Sequence, residues 1–283
     1  MENSNQSNPL MSHFRQPAIY LKLPSEGRYW DNDAVNLPVN GEVPVYPMTT
    51  KDEIMLRTPD ALLNGAGVVS VIQSCIPAIQ DAWKMPSIDV DSCLIAIRIA
   101  TYGNDMDVTT TCPNCKHEND HTIDLGQTMS QINIPVYDVF AIGEGLEAKL
   151  KPQNYFEINR TNMIGYEEQR MMAVLDKQDL TPEDKESAIR EITSKLVDLN
   201  VLNLASSTDY IKTSDGTYVN NFDHIKEFYS NTSSKIIRKV QDHLVKLAEQ
   251  SGLPPYPTKC VECTTEYSTE VTFDYASFFV NGS

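Results

Sequence analysis

The sequence predicts an α+β fold in which a small element built on four cysteines is interrupted by a mostly helical insertion. Three observations predict it. Two Cys-x-x-Cys turns, Cys112-Pro113-Asn114-Cys115 and Cys260-Val261-Glu262-Cys263, are each flanked by strand-like sequence. Residues 155–250, between them, carry helix start signals and apolar repeats at helical spacing. Short extended stretches bounded by turn residues precede the first pair.

The elements follow in order. Residues 1–17 read as a flexible polar tail, without the basic-then-apolar order of a secretory signal. Residues 18–150 read as an N-terminal α+β core. Ala18 to Leu23 is a strand candidate, closed by the turn signal Pro24-Ser25-Glu26-Gly27. Val43 to Met48 is a second extended segment, which its prolines assign to an edge or an arm. Thr50 and Glu53 have capping-box spacing, and Thr58-Pro59-Asp60 marks a second helix start. Leu62, Val69 and Ile72 share a face of the segment ending near Pro77, and Gly65 and Gly67 weaken that helix. Asp89 to Tyr102 predicts a better helix, ended by Gly103. Met106 to Leu125 then predicts a hairpin with Cys112 and Cys115 at its tip.

Residues 151–255 are the helical insertion. Thr181-Pro182-Glu183-Asp184 combines a cap, a proline and two first-turn acids. Ile189, Ile192, Leu196 and Leu199 line one face and read as core. Asp215-Gly216 predicts a turn between Tyr210-Ile211 and Tyr218-Val219. Ile236, Val240, Leu244 and Leu247 mark a last amphipathic helix, closed by Gly252 and Pro254-Pro255. Residues 256–283 return to extended structure, with the second cysteine turn and a strand expected over Glu270 to Tyr275.

Hydrophobic residues at 41 % and charged residues at 22 % permit a real core over 283 residues. No run of eighteen apolar residues occurs, so no membrane-spanning helix is expected. The net charge of −16 argues against general binding to phosphate backbones.

Four of the six cysteines form the two pairs, and with no secretory signal thiolates for metal are expected over disulfides. Each Cys-x-x-Cys turn brings two sulfurs to one ion, and two turns supply the four soft ligands of tetrahedral zinc. Cys112, Cys115, Cys260 and Cys263 are therefore the predicted ligands of one structural Zn2+, in a zinc-ribbon-like element. A cluster of iron and sulfur also takes four cysteines, but ribbon-like turns suit zinc better. Positions 116–259 separate the pairs, against about 15–20 residues in a compact ribbon. The metal would fasten the two ends of the insertion, offsetting loop-closure entropy. A filled four-cysteine shell leaves no open position for catalysis. His117 and His121 read as surface residues, and Cys75 and Cys93 as small buried hydrophobes.

No phosphate loop, nucleophile elbow or His-Glu-x-x-His motif is present. Gly65-Ala66-Gly67 follows helix-like sequence, not a strand, and is discounted as a nucleotide loop. The acidic pairs Glu167-Glu168 and Glu183-Asp184 read as solvated helix faces.

Pro44-Val45-Tyr46-Pro47-Met48-Thr49-Thr50-Lys51-Asp52-Glu53 carries a family likeness. So do Pro24-Ser25-Glu26-Gly27-Arg28-Tyr29-Trp30 before it and Thr58-Pro59-Asp60-Ala61-Leu62-Leu63-Asn64-Gly65 after it. Here the chain resembles baseplate hub and hub-assembly proteins of T-even-type contractile-tailed bacteriophages. Val68 to Cys75, the stretch Ile97 to Gly103 and the cysteine hairpin continue the likeness, which is fullest over residues 20–130. The resemblance implies a non-enzymatic viral protein, a baseplate hub subunit or assembly factor, with no catalytic residues. It implies other baseplate or tail proteins as partners and a place in the host cytoplasm during assembly or in the virion tail, while the charge and the lack of a long apolar run lead to the expectation of neither nucleic acid nor membrane as partner. The helical insertion and polar tail depart from the shorter family core.

The resemblance also singles out the arm over residues 24–57. Tyr29, Trp30, Tyr46 and Met48 are candidate partner-binding anchors, since aromatic and Met side chains are favoured at interfaces. Packing on their own domain is the alternative. Two rival functions remain: a nucleic-acid-binding zinc-ribbon protein of the viral transcription factor type, which the charge opposes, and an enzyme with a site assembled from distant residues.

Overall fold

A computed structural model describes residues 9–31, 33–58, 65–175, 181–269 and 279. Strands β1 (Ile19–Lys22) and β2 (Glu42–Val45) pair antiparallel, with Ile19 opposite Val45. Their inward side chains Leu21, Val43 and Val45 enter a core shared with helices α1 (Thr50–Leu56), α2 (Ala66–Cys75) and α3 (Ser87–Tyr102). Helix α3 is buried continuously from Ser92 to Arg98, so it is the central helix rather than an amphipathic surface one. Cys75 and Cys93 lie fully buried here, as expected.

The cap of α1 falls one residue before the expected pair. Thr49 accepts from the Asp52 backbone N–H, and the Asp52 carboxylate accepts from the Thr49 backbone N–H. Asp52 wins over the equally spaced Glu53 because it points inward, where Arg15 meets it at 3.4 Å. Arg15 also donates to the carbonyls of Pro47 and Ser74, which pins a segment expected to be loose. Of the second helix start at Thr58-Pro59-Asp60, Pro59 and Asp60 lie outside the described residues, as does the apolar Leu62.

The loop after β1 is held by a buried carboxylate. Asp89 on α3 accepts from the Ser25 backbone N–H (2.7 Å), the Ser25 hydroxyl (2.5 Å) and the Trp30 indole N–H (2.8 Å). These bonds secure a loop in which Glu26 and Tyr29 adopt positive φ, a conformation costing about 1–2 kcal/mol for a side-chain-bearing residue. Gly27 in the same loop has a φ of 81°, which favours glycine, and a Cβ there would force the Leu37 Cδ1 methyl, 2.4 Å away, to move.

A second core is built on an antiparallel sheet, β5 (Val139–Gly143), β6 (Leu146–Leu150), β7 (Thr208–Lys212) and β8 (Tyr218–Val219), in that order. The expected hairpin around Asp215-Gly216 is the β7–β8 pair. The sheet takes strands from both sides of residue 150, so backbone pairing crosses the boundary expected there. Between β6 and β7 the chain makes a long helical hairpin, α5 (Tyr155–Leu175) and α6 (Pro182–Ser206), with Thr181 capping α6. Helices α7 (Phe222–Asn231) and α8 (Ser234–Gln250) cover the sheet through Ile225, Tyr229, Ile236 and Val240. The apolar stripe expected on α6 is only partly core: Ile192 is buried, but Ile189 and Leu196 are 45 % and 44 % exposed.

Backbone hydrogen bonds and ring contacts join the cores. The Tyr155 N–H donates to the Met85 carbonyl, and the Ser87 N–H to the Gln153 carbonyl, while Trp83 packs on Tyr155 at 5.7 Å between ring centroids. The base of the excursion is closed by reciprocal backbone bonds between Asn133 and Gly252, at 3.0 and 3.1 Å. Outside that clasp lie the hairpin of β3 (Asp105–Thr111) and β4 (Glu118–Asp124), the short α4 (Leu125–Ser130), and the hairpin of β9 (Tyr256–Lys259) and β10 (Glu266–Thr269). The strand expected over Glu270 to Tyr275 lies outside the described residues.

Candidate metal centre

The β3–β4 and β9–β10 hairpins end in the same turn. In the first, the Cys112 N–H donates to the His117 carbonyl and the Lys116 N–H to the Cys112 carbonyl, at 2.9 and 3.0 Å. In the second, the Cys260 N–H donates to Thr265 and the Thr264 N–H to Cys260, at 2.9 and 3.1 Å. Each turn places the residue after its second cysteine at positive φ, Lys116 at 63° and Thr264 at 58°. Two unrelated loops would have no reason to share this bonding register. The backbone of each turn folds around the point toward which its two sulfurs converge.

The turns face one another, and the structure brings all four predicted ligands together. The sulfurs of Cys112, Cys115, Cys260 and Cys263 lie within 4.8 Å of one another. The cross-turn pairs Cys112–Cys263 and Cys115–Cys260 are 3.6 and 3.5 Å apart. A tetrahedron of sulfurs around zinc, with Zn–S about 2.3 Å, has edges of about 3.8 Å. Cys112 and Cys260 are buried, Cys263 is half-buried and Cys115 is exposed.

Electrostatics favour a cation among these sulfurs. Hydrogen bonds from the Thr265 side chain and backbone draw the Cys263 thiol down to about 5. Backbone N–H groups of Cys263 and Glu262 lower that of Cys260, against some opposition from burial. At Cys115 the His117 backbone N–H favours the thiolate, but the sulfurs of Cys263, Cys260 and Cys112, with burial, outweigh it and push the thiol up to about 12. The surroundings thus favour negative charge on two sulfurs, while their proximity opposes it on a third. A bound divalent cation removes that conflict by deprotonating all four. The geometry and the donor set fit a tetrahedral soft-ligand metal.

A polar seam, not visible in the sequence, locks the hairpins together. Asn119 on β4 is buried. Its carbonyl accepts from the Val261 N–H at 2.9 Å, and its amide donates to the His117 carbonyl at 3.0 Å. One residue thereby closes both turns. The Tyr267 hydroxyl meets Thr110 at 2.7 Å and Asn119 at 3.2 Å. His117 is exposed as expected, whereas His121 is half-buried and bonded to the Thr258 hydroxyl at 2.7 Å. A short polar residue on a strand gives no local signal of this role, because its partner is 142 positions away.

The four arm residues do not form one surface. Met48 is in the first core, at 9 % exposure, and Trp30 is committed to Asp89 and Ser25. Tyr46 is half-buried, with the Arg15 guanidinium 5.8 Å from its ring centroid. Tyr29 is 36 % exposed and packs edge-on against Tyr137.

Two facing turns, far apart in sequence, bring four cysteine sulfurs together as a possible metal site. The comparison with known families makes the assignment: a model described as T4 bacteriophage base plate protein matches residues 22–280, and the chain belongs to that family. Searches of curated proteins and of solved structures found no match. Membership gives the chain a structural role in a phage baseplate and implies contact with other phage tail proteins. Among the described residues, no helix is long and apolar enough to cross a membrane.

Proposed function

We propose that this chain is a hub-region component of a contractile phage tail baseplate, folded and held by one structural zinc on Cys112, Cys115, Cys260 and Cys263. It acts without catalysis and meets its partners in the host cytoplasm as the tail assembles. The observation that carries the reading is the four-sulfur cluster joining two hairpins 145 positions apart, in a chain of the baseplate family. Zinc suits the site because the ligands are soft, the four sulfurs are close enough for one tetrahedral shell, and four cysteines fill that shell without water. When bound, the ion would fix both ends of the second core on the first. That sets the relative position of two surfaces and suits a scaffold part. Residues 133–252 are read as the inserted unit, clasped at Asn133 and Gly252 and stapled just outside by the cysteines.

Co-expression with the other baseplate proteins of the same phage, followed by size-exclusion chromatography, tests the assembly role. The expected result is a complex that forms with the native chain and is lost when Cys112 and Cys260 are both serine. A complex formed equally well by that variant would overturn the role given to the staple.

A further inference from the structure

The four sulfurs are not equivalent, and their differences pair them across the hairpins. In each turn the first cysteine, Cys112 or Cys260, is buried. The second is exposed at Cys115 and half-buried at Cys263. Each accessible sulfur faces a buried sulfur of the other turn: Cys115 lies 3.5 Å from Cys260, and Cys263 lies 3.6 Å from Cys112. A disulfide is about 2.05 Å long, so either pair closes by a shift of about 1.5 Å. Asn119 and Tyr267 bridge the hairpins beside the sulfurs and hold these pairs in line. Cys75 and Cys93 are buried in the first core, away from the centre.

We propose that the same four cysteines form a redox site, which a peroxide converts into two disulfides between the hairpins, Cys115–Cys260 and Cys263–Cys112. Oxidation follows access, so the outer sulfurs react first. The Cys115 thiolate attacks hydrogen peroxide; the O–O bond breaks, an S–O bond forms and hydroxide leaves. The Cys260 thiolate attacks the resulting sulfenic acid; the S–S bond forms and a second hydroxide leaves. Cys263 and Cys112 repeat the sequence. Four thiolates thereby lose four electrons, two hydrogen peroxide molecules become four hydroxides, and no thiolate is left for a metal. The joint between the hairpins becomes covalent instead of being lost. A tail part folded in a reducing cytoplasm and later carried outside it gains a closure suited to both settings. The inference rests on the reading of the chain as such a part, held by a metal on these sulfurs.

The test uses the full chain, purified under reducing conditions, freed of reductant and treated with hydrogen peroxide. Remaining thiols are alkylated after denaturation, and tryptic peptides are read by mass spectrometry, while a chromophoric chelator follows zinc release. Loss of four of the six free thiols is expected, with the Cys112-Cys115 peptide joined to the Cys260-Cys263 peptide and Cys75 and Cys93 alkylated. Dithiothreitol should restore all six. In Cys115→Ser, cleavage after Glu262 should show Cys112 joined to Cys263, not to Cys260. If that variant fails to fold, the wild-type map still decides between bridged hairpins and two separate rings. Disulfides confined within each turn, bridges to Cys75 or Cys93, or oxidation to sulfinic acids without disulfides would overturn the proposal. A chain purified without zinc would defeat the metal reading alone, since the peptide map is read whether or not zinc is present.

Discussion

Replacing Asp89 with Ala should be the most damaging single change in the first core outside its hydrophobic packing. The carboxylate accepts three hydrogen bonds, and its removal leaves the Ser25 N–H and the Trp30 indole N–H in place without it. The Ser25 hydroxyl can rotate to other acceptors. The Ser25 N–H is then stranded, while the indole keeps its 3.2 Å bond to the Ser25 hydroxyl oxygen, and each bond lost to the carboxylate costs about 1.5–3 kcal/mol. Relief of the carboxylate's own desolvation returns part of this, leaving a net loss of about 3 kcal/mol. The loop with Glu26 and Tyr29 at positive φ then loses its anchor. In urea, followed by far-UV circular dichroism, the transition reporting this core should move down by about 1 M, taking a slope of about 3 kcal/mol/M. Burial raises the Asp89 carboxyl above its usual range, against the opposing bonds from Ser25 and Trp30. For a raised acid the folded state holds the proton more tightly. Its contribution therefore favours folding at low pH and declines as pH rises from the ordinary aspartate range through the raised value. Asp89→Asn should flatten stability against pH in that window. An unchanged midpoint for Asp89→Ala would refute the reasoning, because the loop would then be held by something else.

Asn119→Ala should leave the four sulfurs in place yet loosen both turns, and outer partners of this kind are worth roughly 10–100-fold in metal affinity. Competition with a chromophoric chelator measures it, and wild-type affinity would remove Asn119 from the site. Acidification should release the zinc and loosen both hairpins, because protons compete with the metal for the four thiolates. Elemental analysis after dialysis against a pH series reads it, and full zinc content at every acidic pH would contradict this. Tyr267→Phe removes the hydroxyl that bridges Thr110 and Asn119 and should cost about 1 kcal/mol, seen as a lower thermal midpoint.

Local chemistry was legible in the sequence. The Cys-x-x-Cys turns, the Thr181 cap and the Gly103 stop each rest on a few consecutive residues, and all appear where their spacing places them. Long-range pairings were not. Nothing near Leu150 announces that β6 pairs with β7, because the partner lies beyond a helical hairpin of two long helices. Glu168 and Asp89 look like ordinary helix acids in sequence, and only the packing around them shows that Glu168 is buried beside Lys195 rather than solvated and that Asp89 is an anchor. The shift of the α1 cap from Thr50 to Thr49 has the same origin: two equally spaced pairs compete, and Arg15 decides between them.

The central claim is tested most directly by metal content measured together with fold. Protein purified without added metal should contain one zinc per chain by elemental analysis. Removing the zinc with a chelator should abolish ordered structure at the two hairpins, read as lost amide dispersion for residues 105–124 and 256–269. Protein free of zinc, with those resonances unchanged, would contradict the account.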